Sequence, residues 1–174
     1  MLISEEYRAL NAKQHVDDDC WGRQAVKNWE AVKTLVDYGG AKTILDYGCG
    51  KGMLGEVLRS VGYNVTDYDP ALPGKEMAPA PHDFVCCLDV LEHVEPDCLA
   101  AVLADLRRVT KDALFVIVAT RPSRKTLPDG TNPHRIIEPY SWWKTRLEEH
   151  FIVAKVNEKP ERVFAALLVP KDNT

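Results

Sequence analysis

The chain has 174 residues, of which 45% are hydrophobic and 28% are charged, and its formal net charge is −4. These values are typical of a single soluble globular domain over residues 1–174, and the weak negative charge argues against general nucleic-acid binding. We expect a cytoplasmic protein without a membrane partner, because no apolar stretch approaches the roughly 20 residues that span a bilayer and the N-terminus MLISEEYRAL is acidic.

The cysteines do not form the pattern of a disulfide-rich or zinc-binding protein. Their number, five, is odd, and no C-x-x-C pair occurs. We therefore expect them to be small core residues or free thiols. They are Cys20, Cys49, Cys86, Cys87 and Cys98.

The N-terminal region is predicted to contain an amphipathic helix. Apolar residues recur at three-to-four spacing over residues 17–38, and Gly39 and Gly40 follow as a stop signal. We expect residues 1–40 to form a helix or lid in front of a core formed by residues 41–174. The candidates for ligand contacts on this lid are Tyr7, His15 and Arg23.

Strands and helices alternate through the rest of the chain. Strands are predicted at 43–47, 63–69, 83–90 and 113–120, helices at 53–62, 96–110 and 139–151, and two final strands within 152–170. This alternation predicts an α/β fold with a doubly wound, mainly parallel sheet that ends in an antiparallel C-terminal hairpin. The proline-rich residues 70–81 are predicted to form a loop.

Glycines at positions 48, 50 and 52 lie between the first core strand and the next helix. Glycine allows a sharp turn and a close approach of backbone to a ligand near a helix N-terminus. Gly50–Gly55 also satisfies G-x-G-x-x-G, the dinucleotide fingerprint, so a nicotinamide-dependent oxidoreductase is one alternative. Two features oppose it: the glycines begin too early for that fingerprint, and Asp46 would repel a pyrophosphate but suits a cationic amino group.

The run D-Y-G-C-G-K-G at residues 46–52 resembles the first motif of class I S-adenosylmethionine-dependent methyltransferases. Asp69 lies 23 residues after Asp46, where that family carries an acid that hydrogen-bonds both ribose hydroxyls. Asp67 is the competing candidate, and we favour Asp69 because it is nearer the carboxyl end of its strand, where open α/β sheets bind ligands.

The resemblance implies a Rossmann-like methyltransferase sheet with S-adenosylmethionine as the cofactor. The residues that it implies for cofactor binding are Asp46, Gly48, Cys49, Gly50, Gly52, Asp69, Leu88 and Asp89. Only 14 residues separate Asp69 from Phe84, where the family usually has a helix and a third strand. We therefore expect the sheet to be trimmed at that edge.

The run D-V-L-E-H at residues 89–93 follows a predicted core strand and reaches the same sheet edge. If the chain is helical from Asp89, then Asp89, Glu92 and His93 share one helix face. His134, on the loop after the next strand, is expected at this edge too. The run and this distal histidine resemble the metal site of small-RNA 3′-terminal 2′-O-methyltransferases. That resemblance implies Mg²⁺ or Mn²⁺ bound by Asp89, Glu92, His93 and His134.

Two alternatives to a metal site stay open. In the first, Glu92, His93 and His134 have a metal-free catalytic or orienting role, with His93 as the general base. In the second, the run is structural and caps the next helix, a task for which Glu95 and Asp97 are also well placed.

The sequence gives less information about the molecule that accepts the methyl group. Residues 121–146 carry a local charge of +4 and either bind an anionic acceptor or form a solvated loop. Trp142 and Trp143 either stack on a sugar or base or pack their helix onto the sheet. We predict O-methylation of a small-molecule or terminal-group acceptor, such as a sugar, a nucleotide or a glycan end, with a non-catalytic S-adenosylmethionine-binding module as a further alternative.

Overall fold

The structure is a computed structural model that describes residues 1–19 and 21–172. Its strands are β1 (Ile44–Tyr47), β2 (Val65–Tyr68), β3 (His82–Leu88), β4 (Thr110–Ala119), β5 (Phe151–Lys159) and β6 (Val163–Pro170). Within the described chain these strands form one sheet in the order β2-β1-β3-β4-β6-β5. β1 to β4 are parallel, whereas β6 is antiparallel to both β4 and β5. The predicted doubly wound sheet with an antiparallel C-terminal hairpin is confirmed.

Helices cover both faces of this sheet. The α-helices are α1 (Glu5–Asp17), α2 (Trp29–Gly39), α3 (Met53–Ser60), α4 (Leu99–Val109) and α5 (Tyr140–Leu147). Buried residues of α2 and α3 pack in one apolar cluster, and those of α4 and α5 pack in another. Ile44 enters the first cluster and Leu45 the second, because successive strand residues point to opposite faces.

The connection from β2 to β3 is short, and β2 forms an edge of the sheet, as the spacing predicts. His82, at the start of β3, fastens this connection to β2. Its ring nitrogens lie 2.7 Å from the carbonyl oxygen of Ala80 and 2.8 Å from Oγ1 of Thr66. The trimmed edge thus leaves the carboxyl end of β2 followed directly by the loop at residues 69–81.

The prediction of one helix over residues 17–38 is wrong. Helix α2 begins only at Trp29, after a single 3₁₀ turn at Ala25–Asn28. Its C-terminus agrees with the prediction, since Gly40 adopts a left-handed conformation with φ 68°. A glycine in that conformation ends a helix without the steric cost that other residues have.

Helix α1 was not predicted from the sequence pattern. Ser4 precedes it, and the Ser4 hydroxyl accepts a hydrogen bond from the backbone N–H of Tyr7 at 3.1 Å. The helix buries only Tyr7 and Gln14, so it lacks the apolar stripe on which a periodicity argument depends.

Four of the five cysteines lie in the described part of the chain. Cys49, Cys86, Cys87 and Cys98 are free and buried, and Cys20 lies outside the described residues. None of the described helices is long and apolar enough to cross a membrane.

Candidate active site at the carboxyl edge of the sheet

A cavity of about 660 Å³ opens at the carboxyl ends of β1 to β4. This volume lies within the range of roughly 300–1,000 Å³ that small-molecule sites occupy. The residues that follow each of these four strands form its floor, and helix α1 with the segment 21–27 forms its opposite wall. Tyr7, His15 and Arg23, the predicted lid contacts, all line it.

The glycine turn after β1 forms one side of the cavity. Gly48 and Gly50 have φ of 76° and 53°, and both line the cavity together with Cys49. A Cβ atom on Gly48 would lie 2.5 Å from Cγ2 of Val90, and one on Gly50 would lie 2.8 Å from Cε1 of His15. Both the backbone conformation and the close packing therefore require glycine.

Asp69 lies on the cavity wall beside this turn. Its Oδ2 accepts the backbone N–H of Gly50 at 3.0 Å, and its Oδ1 accepts that of Ala71 at 2.9 Å. A carboxylate has about four acceptor positions, so these two bonds leave capacity for hydroxyl donors. The competing candidate, Asp67, instead pairs with the Arg59 guanidinium at 3.1 and 3.0 Å.

Asp46 and Gly52 do not line the cavity, contrary to their predicted role in holding the cofactor. Leu45 and Tyr47 point toward the core cluster of α4, so the intervening Asp46 points to the other face of the sheet. There it is the register partner of Asp67. Burial, and then the charge of Asp67, raises the pKa of Asp46 to about 7. A Cβ atom on Gly52 would face Asp67 and Lys75 rather than the cavity.

The chain does not turn helical at Asp89, which corrects the proposed shared helix face. Asp89 has φ 55°, and its N–H donates to the carbonyl of Ile117 in β4 at 2.9 Å. Only a single 3₁₀ turn, Leu91–His93, follows. Leu88 and Asp89 line the cavity. Burial raises the pKa of Asp89 to about 6, opposed in part by the charges of Arg121 and Lys27.

Glu92, His93 and His134 come together instead, and one potential ligand atom from each lies within 4.8 Å of the others. Asp89, the fourth predicted metal ligand, is not part of this group. Glu92 is fully buried, and its Oε1 accepts the N–H of Ala119 at 2.9 Å. Its Oε2 has no hydrogen-bond partner among the described residues. Burial, and then the charge of Asp89, raises the pKa of Glu92 to about 8.

Both histidines of this group present neutral rings. The Nδ1 of His134 lies 2.6 Å from the carbonyl oxygen of Arg121, which fixes that nitrogen as the donor and leaves a lone pair on Nε2. Burial lowers the pKa of His134. Burial, and then the neighbouring His134, lowers the pKa of His93 to about 3. The two rings meet edge to face, with centroids 4.8 Å apart.

Trp21 also lines the cavity, although in the sequence it is only one of the apolar residues of the helix predicted over residues 17–38. Its ring meets His93 edge to face at 5.8 Å and His15 at 6.4 Å, so an aromatic wall runs from α1 to the histidine pair. The Lys125 ammonium lies 5.6 Å from the Trp21 ring centroid. No local pattern separates this tryptophan from a core residue, because its role depends on where the N-terminal segment folds.

Positive charge collects at the mouth of the cavity. The cationic residues that line it come from two segments and are Arg23, Lys27, Arg121, Arg124 and Lys125. Half of the basic residues within the segment 121–146 therefore line the cavity. Arg135, Lys144 and Arg146 do not. Lys125 also donates to Asp18 at 2.6 Å, which joins the loop after β4 to the end of helix α1.

The two adjacent tryptophans lie away from the cavity. Trp143 is completely buried in the core beside Phe164. The guanidinium carbon of Arg146 lies 3.3 Å from the ring centroid of Trp142, in a separate surface groove. Trp143 therefore packs its helix onto the sheet, which was one of the two predictions for this pair. Trp142 is outside the main cavity and does not stack on a ligand there.

Comparisons with known proteins identify the family and the fold. A protein-family model described as "Methyltransferase domain" matches residues 23–159. No curated protein sequence matches the chain.

Among similar solved structures is 1,6-didemethyltoxoflavin-N1-methyltransferase from Burkholderia thailandensis, with bound 1,6-didemethyltoxoflavin and S-adenosylhomocysteine. It is 18% identical over 99% of this chain and 92% of that chain, with a TM-score of 0.70. Magnesium protoporphyrin IX methyltransferase from Synechocystis PCC 6803 with bound S-adenosylhomocysteine is 17% identical over 84% and 83% of the two chains, with a TM-score of 0.60. Mitomycin 7-O-methyltransferase is 18% identical over 84% and 54%, with a TM-score of 0.62. At these identities the likeness concerns the fold.

Proposed function

Since the chain belongs to the class I S-adenosylmethionine-dependent methyltransferases, we propose that it methylates a hydroxyl of a small molecule or of an exposed terminal group, such as a sugar, a nucleotide or a glycan end. The observation that carries the choice of oxygen is the convergence of Glu92, His93 and His134 beside the glycine turn. A hydroxyl must lose its proton to attack a methyl group, and this cluster offers the groups for that task. The similar structures include an N- and an O-methyltransferase by name, so they do not choose between the two.

The residues on the cavity wall fit the methyl donor. The glycine turn provides backbone that a ligand approaches closely, and Asp69 keeps free acceptor positions for the two ribose hydroxyls. We assign donor binding to Gly48, Cys49, Gly50 and Asp69, with Leu88 and Asp89 beside them. When bound, S-adenosylmethionine supplies an electrophilic methyl group on a sulfonium. The chain holds the acceptor in line with it and excludes water.

The three-residue cluster also fits a divalent metal ion. Its carboxylate has an oxygen without a partner, and the Nε2 lone pair of His134 is oriented by the bond from Nδ1 to a carbonyl. We assign Glu92, His93 and His134 as the ligands, and two imidazoles with one carboxylate favour Mn²⁺ over Mg²⁺. When bound, such an ion lowers the pKa of the acceptor hydroxyl. The metal-free alternative is less favoured, because a pKa of about 3 makes His93 a weak base.

The charge at the mouth supports an anionic acceptor. Cationic side chains from the segment 21–27 and from the loop after β4 face the same opening. They attract a phosphate or carboxylate group electrostatically. We therefore propose that the acceptor carries a negative group in addition to its hydroxyl.

Two measurements test this function. S-adenosylhomocysteine is expected to raise the melting temperature of the protein, whereas NADH is not. Methyl transfer to a panel of hydroxyl acceptors, each offered with and without a phosphate, is then measured in EDTA and after addition of Mn²⁺ or Mg²⁺. Activity should be lost in EDTA and return with the metal. His134→Ala should lose it, while His150→Ala, in the turn between α5 and β5 and outside the cavity lining, should not.

Each alternative predicts a different result. Stabilisation by NADH alone would support an oxidoreductase. Binding of S-adenosylhomocysteine without methyl transfer to any acceptor would support a non-catalytic binding module. Full activity in EDTA would remove the metal and leave the methyltransferase assignment in place.

A further inference from the structure

Lys75 lies in the loop that replaces the third strand, and it contacts the glycine turn directly. Its Nζ donates to the carbonyl oxygen of Gly50 at 3.0 Å and lies 3.8 Å from Oδ2 of Asp67. Its own backbone carbonyl accepts the N–H of Asp69 at 3.0 Å. One residue of the shortened loop is thus bonded to both groups assigned to the donor, the glycine turn and Asp69.

The local sequence makes room for this contact. A Cβ atom on Gly52 would lie 2.5 Å from Nζ of Lys75, so any larger residue there would displace the ammonium. Three quarters of the Lys75 side chain is buried, since 25% of it remains exposed. Gly52 does not line the cavity, and its role in the turn is explained by the space that it leaves for Lys75.

The charges around the turn give the ammonium a second role. Asp46, Asp67 and Asp69 surround the glycine turn, and Lys75 acts electrostatically on the first of them, lowering the pKa that burial raises. Of the other cations nearby, Arg59 is bonded to Asp67 through two nitrogens, and Lys51 is bonded to Asp18 and Asp19. Lys75, in contrast, contacts the backbone of the turn itself.

We propose that Lys75 is a positioning residue for the methyl donor, which holds the Gly50 carbonyl and the Asp69 backbone in the arrangement that binds it. This inference rests on the proposed placement of the donor at Gly50 and Asp69. The trimmed edge of the sheet then contributes to donor binding, because the loop that replaces the strand supplies the ammonium that fixes the turn.

The test compares Lys75→Met with Lys75→Arg and with Lys42→Met, which changes an exposed lysine just before β1. The dissociation constant of S-adenosylhomocysteine is measured by isothermal titration calorimetry, and the fold is checked by circular dichroism. Lys75→Met should weaken binding by about tenfold or more, the size expected for one lost hydrogen bond to a charged group. Lys75→Arg should recover most of this loss, and Lys42→Met should bind as the wild type does.

The steady-state constants separate positioning from a general loss of structure. With an active acceptor, Lys75→Met should raise KM for S-adenosylmethionine and leave kcat at saturating donor within about twofold. If Lys75→Met does not fold, Lys75→Gln carries the same expectation. Binding of S-adenosylhomocysteine by Lys75→Met or Lys75→Gln within twofold of wild type overturns the role of Lys75 alone. Wild-type protein that binds no S-adenosylhomocysteine overturns the donor site and this proposal together.

Discussion

Asp46→Asn is expected to stabilise the fold above neutral pH and to have a smaller effect in acid. Burial and the neighbouring Asp67 raise the pKa of Asp46 from 3.8 to about 7. The folded protein thus holds the proton more tightly than the unfolded chain does. Between these two pKa values the unfolded state binds fewer protons, so the free energy of unfolding falls as pH rises from about 4 to about 7.

The magnitude follows from the size of the shift. About three pKa units correspond to about 4 kcal/mol, an upper bound for the destabilisation that ionised Asp46 causes at alkaline pH. Asparagine has the same shape and does not ionise, so the gap between variant and wild type should widen by about 2.5 kcal/mol from pH 5 to pH 8. Urea unfolding at these two pH values measures it.

Asp112→Asn, at an exposed position of β4, is the control for this experiment. It removes one carboxylate of the same kind without changing a buried group, so its unfolding free energy should follow that of the wild type at both pH values. A gain from Asp46→Asn that is equal at pH 5 and pH 8, or a loss at both, would refute the reasoning, because neither follows from a buried carboxyl with a raised pKa.

Three further predictions concern packing, the donor site and the acceptor. Gly50→Ala should weaken S-adenosylhomocysteine binding severalfold in a calorimetric titration, because φ 53° is strained for alanine, whereas Gly39→Ala, in helix α2 with open space around it, should not. Trp143→Ala should lower the free energy of unfolding in urea by about 3–5 kcal/mol, and the half-buried Trp142→Ala by clearly less. Arg124→Glu should raise KM for an anionic acceptor and reduce the salt dependence of that KM, while a neutral acceptor should show no change.

The sheet could be predicted from the sequence because its signals are local and consistent. The run before Gly48 is short and apolar and is followed by glycine, and each predicted core strand appears near its expected position. The 14 residues between Asp69 and Phe84 leave little room for a helix, a strand and their connections, so the trimmed edge also follows from counting. Helix α1 could not be found this way, because only Tyr7 and Gln14 of it are buried.

Placement within the site needed tertiary information. Asp89 is not helical, because its N–H donates to the carbonyl of Ile117 in β4. No sequence pattern predicts its left-handed φ. The direction of the Asp46 side chain, by contrast, could be predicted from the alternation of side chains along a strand. Since Leu45 and Tyr47 face one cluster, Asp46 had to face the other side, toward its parallel register partner Asp67.

Asp46 and Glu92 show how the same local observation has two different physical meanings. Each is a buried carboxylate with one oxygen that finds no partner among the described residues, a rare condition in native proteins. A neighbouring carboxylate raises the pKa of both side chains, but Asp46 lies off the cavity, so its unpaired oxygen is a cost to stability. Glu92 lies on the cavity, with a ligand atom from each of two neutral imidazoles within 4.8 Å, so its unpaired oxygen has a place where a cation would complete it. Removal of the charge should therefore stabilise the protein at Asp46, whereas at Glu92 it should abolish the metal dependence that we propose for the reaction.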